Sequence, residues 1–350
     1  LDRCLPASRQ TLMRLAIAFL FLLGTGCGAS PEETQGFRGG TMGTSYQVTY
    51  SGTDAQVEED QAAVEDLLAQ VNQSLSTYIE SSLISEINSS TDTTLWHTID
   101  LHFERVFDRS KTLHQQTNGA FNPAVGPLVG AWGFGPEGIN RVPSDATIDS
   151  LLTLVEFDDF IKHPSERSIR KRVAGASLDF NAIAKGYGVD VVADFFRDRG
   201  TPNYFVEIGG EVRTGGQHPS GRPWRVGIEK PAENQLAGQE TQQVVELSDR
   251  SMATSGNYRN FYVEEGRKYV HTVDPITGYT RTSSLLSASV LAPDCMTADA
   301  YATAFMVMGV DQALALVETR ADLEAYFIVS DDKGEYAELR SSQFLASGSK

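Results

Sequence analysis

"YFVEIGG" (Tyr204–Gly210) opens the part of the chain that decides the fold. After it come "WRVGI" (Trp224–Ile228), "QVVEL" (Gln243–Leu247), "YVHTV" (Tyr269–Val273) and "SASVLA" (Ser287–Ala292). These are short β-rich runs separated by Gly, Pro and polar residues, which predicts a meander of strands. A helix over about Ala182–Arg199 precedes them. "APDCMTADAYATAF" (Ala292–Phe305), a further helix around Gln312–Arg320 and a last strand, Ala325–Val329, follow. Nearer the start, Tyr46, Val48 and Tyr50 alternate on one face of a strand over Thr44–Tyr50. Apolar residues at helical spacing predict helices over about Ala55–Leu75 and Leu101–Gln116. Thr117–Gly138, rich in Gly, Pro and aromatics, reads as an ordered loop without regular structure. Strands in a meander and helices in separate blocks predict an α+β fold with an antiparallel or mixed sheet, not a doubly wound parallel one.

The 350 residues carry a formal net charge of −17, which speaks against a nucleic-acid partner, since phosphate backbones select basic faces. An anionic small substrate would need local positive charge or a metal ion. Arg9 and Arg14 precede the apolar run Leu15–Gly26, and Cys27 follows. That is the layout of a secretory signal over residues 1–26, with Met13-Arg14 as its natural opening. A Cys after small residues points to lipoprotein processing, with lipidation at Cys27. Leu23 stands one position further from the Cys than is usual, and an ordinary cleaved signal with an incidental Cys is the alternative. Residues 27–38 read as a flexible tether and 39–345 as the folded part, exported and anchored at the membrane surface. After processing only Cys295 remains as a thiol, so no intrachain disulfide is expected.

Several common site signatures are missing. No H-E-x-x-H, C-x-x-C or G-x-S-x-G occurs. The G-x-G-x-x-G formed by Gly133, Gly135 and Gly138 contains Pro136, follows no strand and opens no helix, so it is not a dinucleotide fingerprint. In "VEIGGEVRTGG" (Val206–Gly216) the Gly pairs suit either close approach to an anion or bulges. In "LDFNAIAKGYG" (Leu178–Gly188) Asp179 precedes a helix and Lys185 lies among apolar residues. Asp179 suits a cap, and Lys185 either an anion site or an ion pair. His271 sits on a strand before the Pro turn of "HTVDPITG" (His271–Gly278), as a candidate base or a structural residue.

Asp299 and Thr303, at i and i+4, share one face of an apolar helix. A buried carboxylate needs a cation. Two oxygen donors without His or thiolate suit Mg²⁺, and a Lys or Arg partner serves equally on spacing alone.

Nine stretches then change the weighting: "GTMGTSYQV", "LSTY", "NGAFNPAVGPLVGAWGFGP", "LDFNAIAKGYGVD", "FVEIGGEVRTGG", "PWRVGIEKP", "TSGNYRNFY", "HTVDPITGY" and "CMTADAYATAFMVMG". Together, and in this order, the sequence resembles the periplasmic FAD:protein FMN transferases, the ApbE family, over about Gly40–Gly309. The resemblance implies a bilobed, T-fold-like α+β architecture with FAD between the lobes. It implies Mg²⁺-dependent transfer of FMN from FAD to a Thr or Ser hydroxyl of an acceptor protein, such as a membrane redox subunit, releasing AMP. FAD contacts would fall on Met42, Tyr78, Ala120, Phe121, Asn122, Asp179, Lys185 and Val273. Metal ligands would fall on the Ala182 backbone, Asp299, Ala302 and Thr303, and His271 would act near the acceptor hydroxyl. Tyr78 and Phe121 would stack on flavin or adenine. Asn122 stands where many relatives carry Asp, Asn181 where a smaller residue is commoner, and Ala302 where some members carry Asp. Rival readings are an FAD pyrophosphatase that releases FMN and AMP, and a non-catalytic FAD-binding lipoprotein.

Overall fold

The computed structural model describes residues 33–344, except 137, 139–141, 231–240, 258–260, 265–266, 282 and 331–334. The expected signal, Cys27 and the first part of the expected tether lie outside the described residues. The tether does not extend to residue 38, because Glu33 onward is strand.

In chain order the elements are β1 (Glu33–Thr41), β2 (Thr44–Gly52), α1 (Val57–Leu75), α2 (Leu83–Ser89), β3 (His97–Thr98), α3 (Leu101–Gln116), α4 (Gly126–Ala131), α5 (Asp145–Leu152), β4 (Phe160–Lys162) and β5 (Ser168–Lys171). Then follow α6 (Ala184–Asp198), β6 (Tyr204–Ile208), β7 (Glu211–Gly215), β8 (Trp224–Glu229), β9 (Thr241–Leu247), β10 (Ser251–Gly256), β11 (Phe261–Glu264) and β12 (Arg267–Val270). The last are β13 (Leu285–Ala292), α7 (Cys295–Met308), α8 (Val310–Val317), β14 (Glu324–Ser330) and β15 (Tyr336–Arg340).

Eight strands form one sheet in the order β1-β2-β6-β7-β10-β13-β14-β15, and each neighbouring pair is antiparallel. The α+β expectation therefore holds, with an antiparallel rather than a mixed sheet. Period-two alternation gives the sheet two apolar faces. Tyr204, Val206 and Ile208 of β6 and Ala325 and Phe327 of β14 face the helices. Tyr326 and Ile328 of β14 join Trp224, Ile228, Val245 and Leu247, so the β8–β9 hairpin covers the opposite face. Burying both faces is what makes this sheet a core rather than a surface.

Helix α3 starts and stops where the sequence predicts. Asp100 caps it by accepting from the Phe103 N–H (2.8 Å), and left-handed Asn118 and Gly119 end it. The Gly/Pro-rich stretch is more regular than expected. Asn122 caps a short 3-10 turn with Pro123 in its first position, and α4 continues from it. The run "YVHTV" is strand only to Val270, so His271 stands just past the end of β12. Helices α2 and α5 and the terminal strands β1 and β15 were not read from the sequence. The pair Gly209-Gly210 makes no bulge, and its N–H groups already go to Ser45 O (3.1 Å) and Glu207 Oε1 (2.6 Å). Gly209 (φ 62°) and Gly210 (φ 104°) form the two-residue turn joining β6 to β7, a conformation open to Gly.

Helices α6 and α7 cross against the sheet at Gly186, whose hydrogen stands where a Cβ would strike the Cys295 carbonyl and lie 2.8 Å from Asp299 Cβ. We predict that Gly186→Ala costs about 2–3 kcal/mol or prevents folding, as measured by urea unfolding, because backbone cannot yield as a side chain can.

Lys171 is 1% exposed and has carbonyl partners, Asn88 O (2.6 Å) and Ala176 O (3.0 Å). Burial pulls its amine down to about 8. Between pH 8 and the ordinary lysine range the unfolded chain binds the extra proton, so stability rises with pH there. The gain from this group is about 3 kcal/mol at most. The difference in unfolding free energy between wild type and Lys171→Met, followed from pH 7 to 10.5, should rise accordingly. A flat difference would remove the argument.

Candidate active site

The crossing of α6 and α7 is held by carboxylates that each helix lends to the other. Asp190 of α6 accepts from the Cys295 and Met296 N–H groups (2.9 and 2.8 Å) at the start of α7. Arg213 of β7 pairs with the same carboxylate at 2.7 Å. In return, Asp299 Oδ2 of α7 accepts from the Gly186 N–H (2.9 Å) in the first turn of α6. That turn has no side-chain cap of its own at Ile183, so Asp299 satisfies a donor the helix leaves over.

Asp299 is 2% exposed, and its nearest cation is Lys185, with Nζ at 3.7 Å from Oδ1. Lys185 lies closer to Glu211, 2.9 Å from Oε1. Two buried carboxylates thus share one ammonium, and with both ionised the set carries an excess negative charge. Burial, and secondarily Asp299, push the Glu211 carboxyl up to about 7, against the pull of Lys185. Its Oε2 is buried without a hydrogen-bond partner among the described residues. Lys185 is held above its ordinary value by the two acids, which outweigh its burial.

The donor set suits a hard cation. The Gly186 N–H, one helical turn on from Ala182, goes to Asp299, and no described hydrogen bond ends on the Ala182 carbonyl. Asp299, Thr303 and the Ala182 carbonyl are oxygen donors of the kind Mg²⁺ takes. Ala302 adds nothing to them. Its methyl is buried in the main core, and its carbonyl lies inside α7, where the helical ladder uses it. Among the described residues no group of three or more His, Cys, Asp or Glu side chains could hold a metal. A cation here would therefore rest on one carboxylate, neutral oxygens and its substrate's own anions.

Thr303 links this corner to His271. Its hydroxyl pairs with Ser255 Oγ of β10 at 3.0 Å. Two residues on, Asn257 Oδ1 accepts from the Thr272 hydroxyl (2.8 Å), the neighbour of His271. The turn bearing His271 is pinned from its other end by the Trp132 indole N–H, which donates to the Gly278 carbonyl at 2.8 Å. The His271 ring meets Phe134 edge-on at 6.4 Å.

The remaining expected residues divide. Met42 sits in the two-residue β1–β2 turn with φ 49°, a left-handed conformation that costs an ordinary side chain about 1–2 kcal/mol. It brings the thioether against Gly188, where a Cβ would be 2.8 Å from Met42 Cε. Tyr78 is 61% exposed in the turn after α1, and partial burial and then Asp179 push its phenol up. Asp179 is half-buried and raised by burial, while Asn181 bonds both its oxygens (2.7 and 3.2 Å). Phe121 disagrees with expectation. It is 3% exposed within the main core, so its ring packs against protein and is not offered for stacking. Ala120 is buried as well. The Asn122 side chain is already engaged, donating to Val155 O (2.8 Å) and capping the turn at Ala124 (2.9 Å). Val273 is 6% exposed, in a small core with Leu128, Trp132, Ile148 and Val155. Glu211, Ser255 and Gly186 were not singled out by sequence reasoning.

A family model described as the ApbE family matches residues 42–327, most of the chain. The chain belongs to the ApbE family. Among relatives, the FAD:protein FMN transferase of Vibrio cholerae is 36% identical over 337 residues, covering 95% of this chain and 98% of the relative. That of Escherichia coli K12 is 31% identical over 330 residues, covering 92% and 93%. Among solved structures, the flavin transferase ApbE from Vibrio cholerae superposes with a TM-score of 0.79 at 36% identity, over 89% of this chain and 98% of that one. The apo flavinyl transferase ApbE of Pseudomonas stutzeri gives 0.80 at 33% identity, over 89% and 95%. The antiparallel sheet and the α6–α7 crossing are thus set in an ApbE-family fold.

Glu211 offers a pH test of this geometry. Its raised carboxyl means the stability it contributes is present below the ordinary glutamate range and lost as pH rises through about 7. Wild type should lose stability relative to Glu211→Gln between pH 4.5 and 7 in metal-free buffer. A pH-independent difference would show that Glu211 is not held in a desolvated, acid-crowded position.

Proposed function

We propose that this chain transfers FMN from FAD to a Thr or Ser hydroxyl of an acceptor protein and releases AMP. The observation that carries the proposal is the buried Glu211–Lys185–Asp299 set, short of positive charge, in a chain of the ApbE family. The substrate is an anionic dinucleotide, and an acidic protein holds such a molecule only where cations are concentrated.

In this reading FAD lies between two lobes, the large sheet with α6 and α7 on one side and the small core around Trp132 on the other. The small core around Trp132, packed apart from the main one, supports that reading. The Tyr78 ring, exposed beside Asp179, is placed to stack on a base or flavin. Met42 packs against Gly188 of α6, and Lys185 would face the pyrophosphate. Asp299, the Thr303 hydroxyl and the Ala182 carbonyl would hold Mg²⁺, which supplies neutralisation of charge on the phosphate oxygens. The acceptor hydroxyl oxygen bonds to the FMN phosphorus while the bond from that phosphorus to the bridging oxygen breaks, and AMP leaves. His271, or a water it orients, takes the hydroxyl proton. Export and anchoring through Cys27, at the periplasmic face of a bacterial membrane, belong to the same proposal, supported by the apolar run before Cys27.

The test is incubation of the folded protein with FAD, MgCl₂ and an acceptor domain, read by intact mass. An adduct of FMN mass on the acceptor with stoichiometric AMP is expected. AMP and free FMN without adduct would make the chain a pyrophosphatase, and intact FAD would make it a binding protein. Asp299→Asn, which keeps an acceptor for the Gly186 N–H, should reduce turnover at least 100-fold, about 3 kcal/mol of transition-state stabilisation, while circular dichroism stays native. Undiminished turnover would leave Asp299 as an ion-pair partner only.

A further inference from the structure

Glu211 is the one member of the buried charge set with no role in the reading above. It follows directly on the Gly209–Gly210 turn and pairs across the hairpin with Ile208, so its side chain points at the helix-covered face of the sheet. The side chain is 5% exposed. One oxygen holds Lys185 at 2.9 Å, and the other has no hydrogen-bond partner among the described residues. Asp299, across the same ammonium, has one oxygen taken by the Gly186 N–H and the other at 3.7 Å from Lys185. That 3.7 Å separation is longer than a charge-assisted hydrogen bond. A lysine with a single buried acid beside it would close such a gap, and its ammonium would then cover Asp299 Oδ1.

We propose that Glu211 is a positioning residue. It draws the Lys185 ammonium aside so that Asp299 Oδ1 stays open to a divalent cation, and it aims Lys185 at the anion that the cation accompanies. Glu211 touches neither substrate nor cation. It acts through Lys185 alone. The identity of the cation as Mg²⁺ rests on the transferase reading.

The experiment titrates MgCl₂ into the full chain with excess FAD and an acceptor domain, at pH 8 and constant ionic strength, and reads two midpoints: thermal shift and AMP release. Glu211→Gln keeps the shape and removes the charge. Both midpoints are expected to move up about tenfold, equivalent to about 1.4 kcal/mol, while turnover at saturating Mg²⁺ recovers to within about threefold of wild type. In a Lys185→Met background the thermal-shift displacement caused by Glu211→Gln should fall below about threefold, because the group it acts through is gone. Glu211→Asp keeps the charge but falls short of Lys185, and it should shift the midpoint in the same direction. It serves as the decisive variant should Glu211→Gln not fold. Unmoved midpoints in either variant, or an equal displacement with and without Lys185, would overturn the proposal. A wild-type protein indifferent to Mg²⁺ in both readouts would overturn the metal reading itself, a separate result.

Discussion

The exchange of carboxylates across the α6–α7 crossing is the constraint on which the rest of the molecule hangs. A helix start leaves N–H groups without partners, and here two such starts are buried together. Asp190 answers for α7 and Asp299 for α6. The arrangement works only at very close approach, which Gly186 permits. Once the two helices are locked, Lys185, Ala182 and Thr303 have fixed places around Asp299. The sheet beneath supplies Glu211 from β7 and Ser255 from β10. The candidate site is therefore a by-product of how two helices satisfy their own backbones, which leaves Asp299 Oδ1 without a backbone donor among the described residues.

Charge is concentrated unevenly to make this useful. The chain as a whole is acidic, with a formal net charge of −17. Surface acids are screened by solvent and do little at a distance. The buried set is different, because desolvation makes its imbalance costly and raises the value of any cation that relieves it. An anion alone would be repelled from such a place, whereas an anion arriving with a divalent ion is drawn in. In the proposed reading, Lys185 would give the anion a direct contact without cancelling the pull on the metal.

Much of this was legible in residues and some was not. Helix α3 was readable to the residue, because Asp100 and the Asn118-Gly119 pair mark its ends and the apolar period fills it. The antiparallel sheet followed from strands spaced by turns. Asp299 stood out because a charge in an apolar helix demands a partner, but the sequence could not choose between ion pair and metal, and the structure has the ion pair within a set that still lacks positive charge. Phe121 was misjudged because aromatic type says nothing about direction; only tertiary packing turns it into the core. Glu211 was hidden behind its glycines. Reading Gly209-Gly210 as a hairpin turn would have registered Glu211 opposite Ile208 and so on the buried face, where a lone acid draws notice. The two bonds Thr303–Ser255 and Thr272–Asn257 join segments far apart in sequence, and no local pattern announces them.

The two edges of the large sheet are unlike. At one, β1 and β2 are packed over α1 and α6, and the turn between them is tied down by Met42 on Gly188. At the other, every residue of β15 is exposed. Local opening draws on the least buried segment first. The molecule is therefore polar in a mechanical sense: warmed or pulled, it should shed its C-terminal strand while the flank beside the charge set stays closed. Hydrogen exchange would register that order as fast amides on β15 and slow ones on β2 and β6. A fold that loosens from the side away from its chemistry can tolerate wear in one strand without disturbing the oxygen atoms around Asp299.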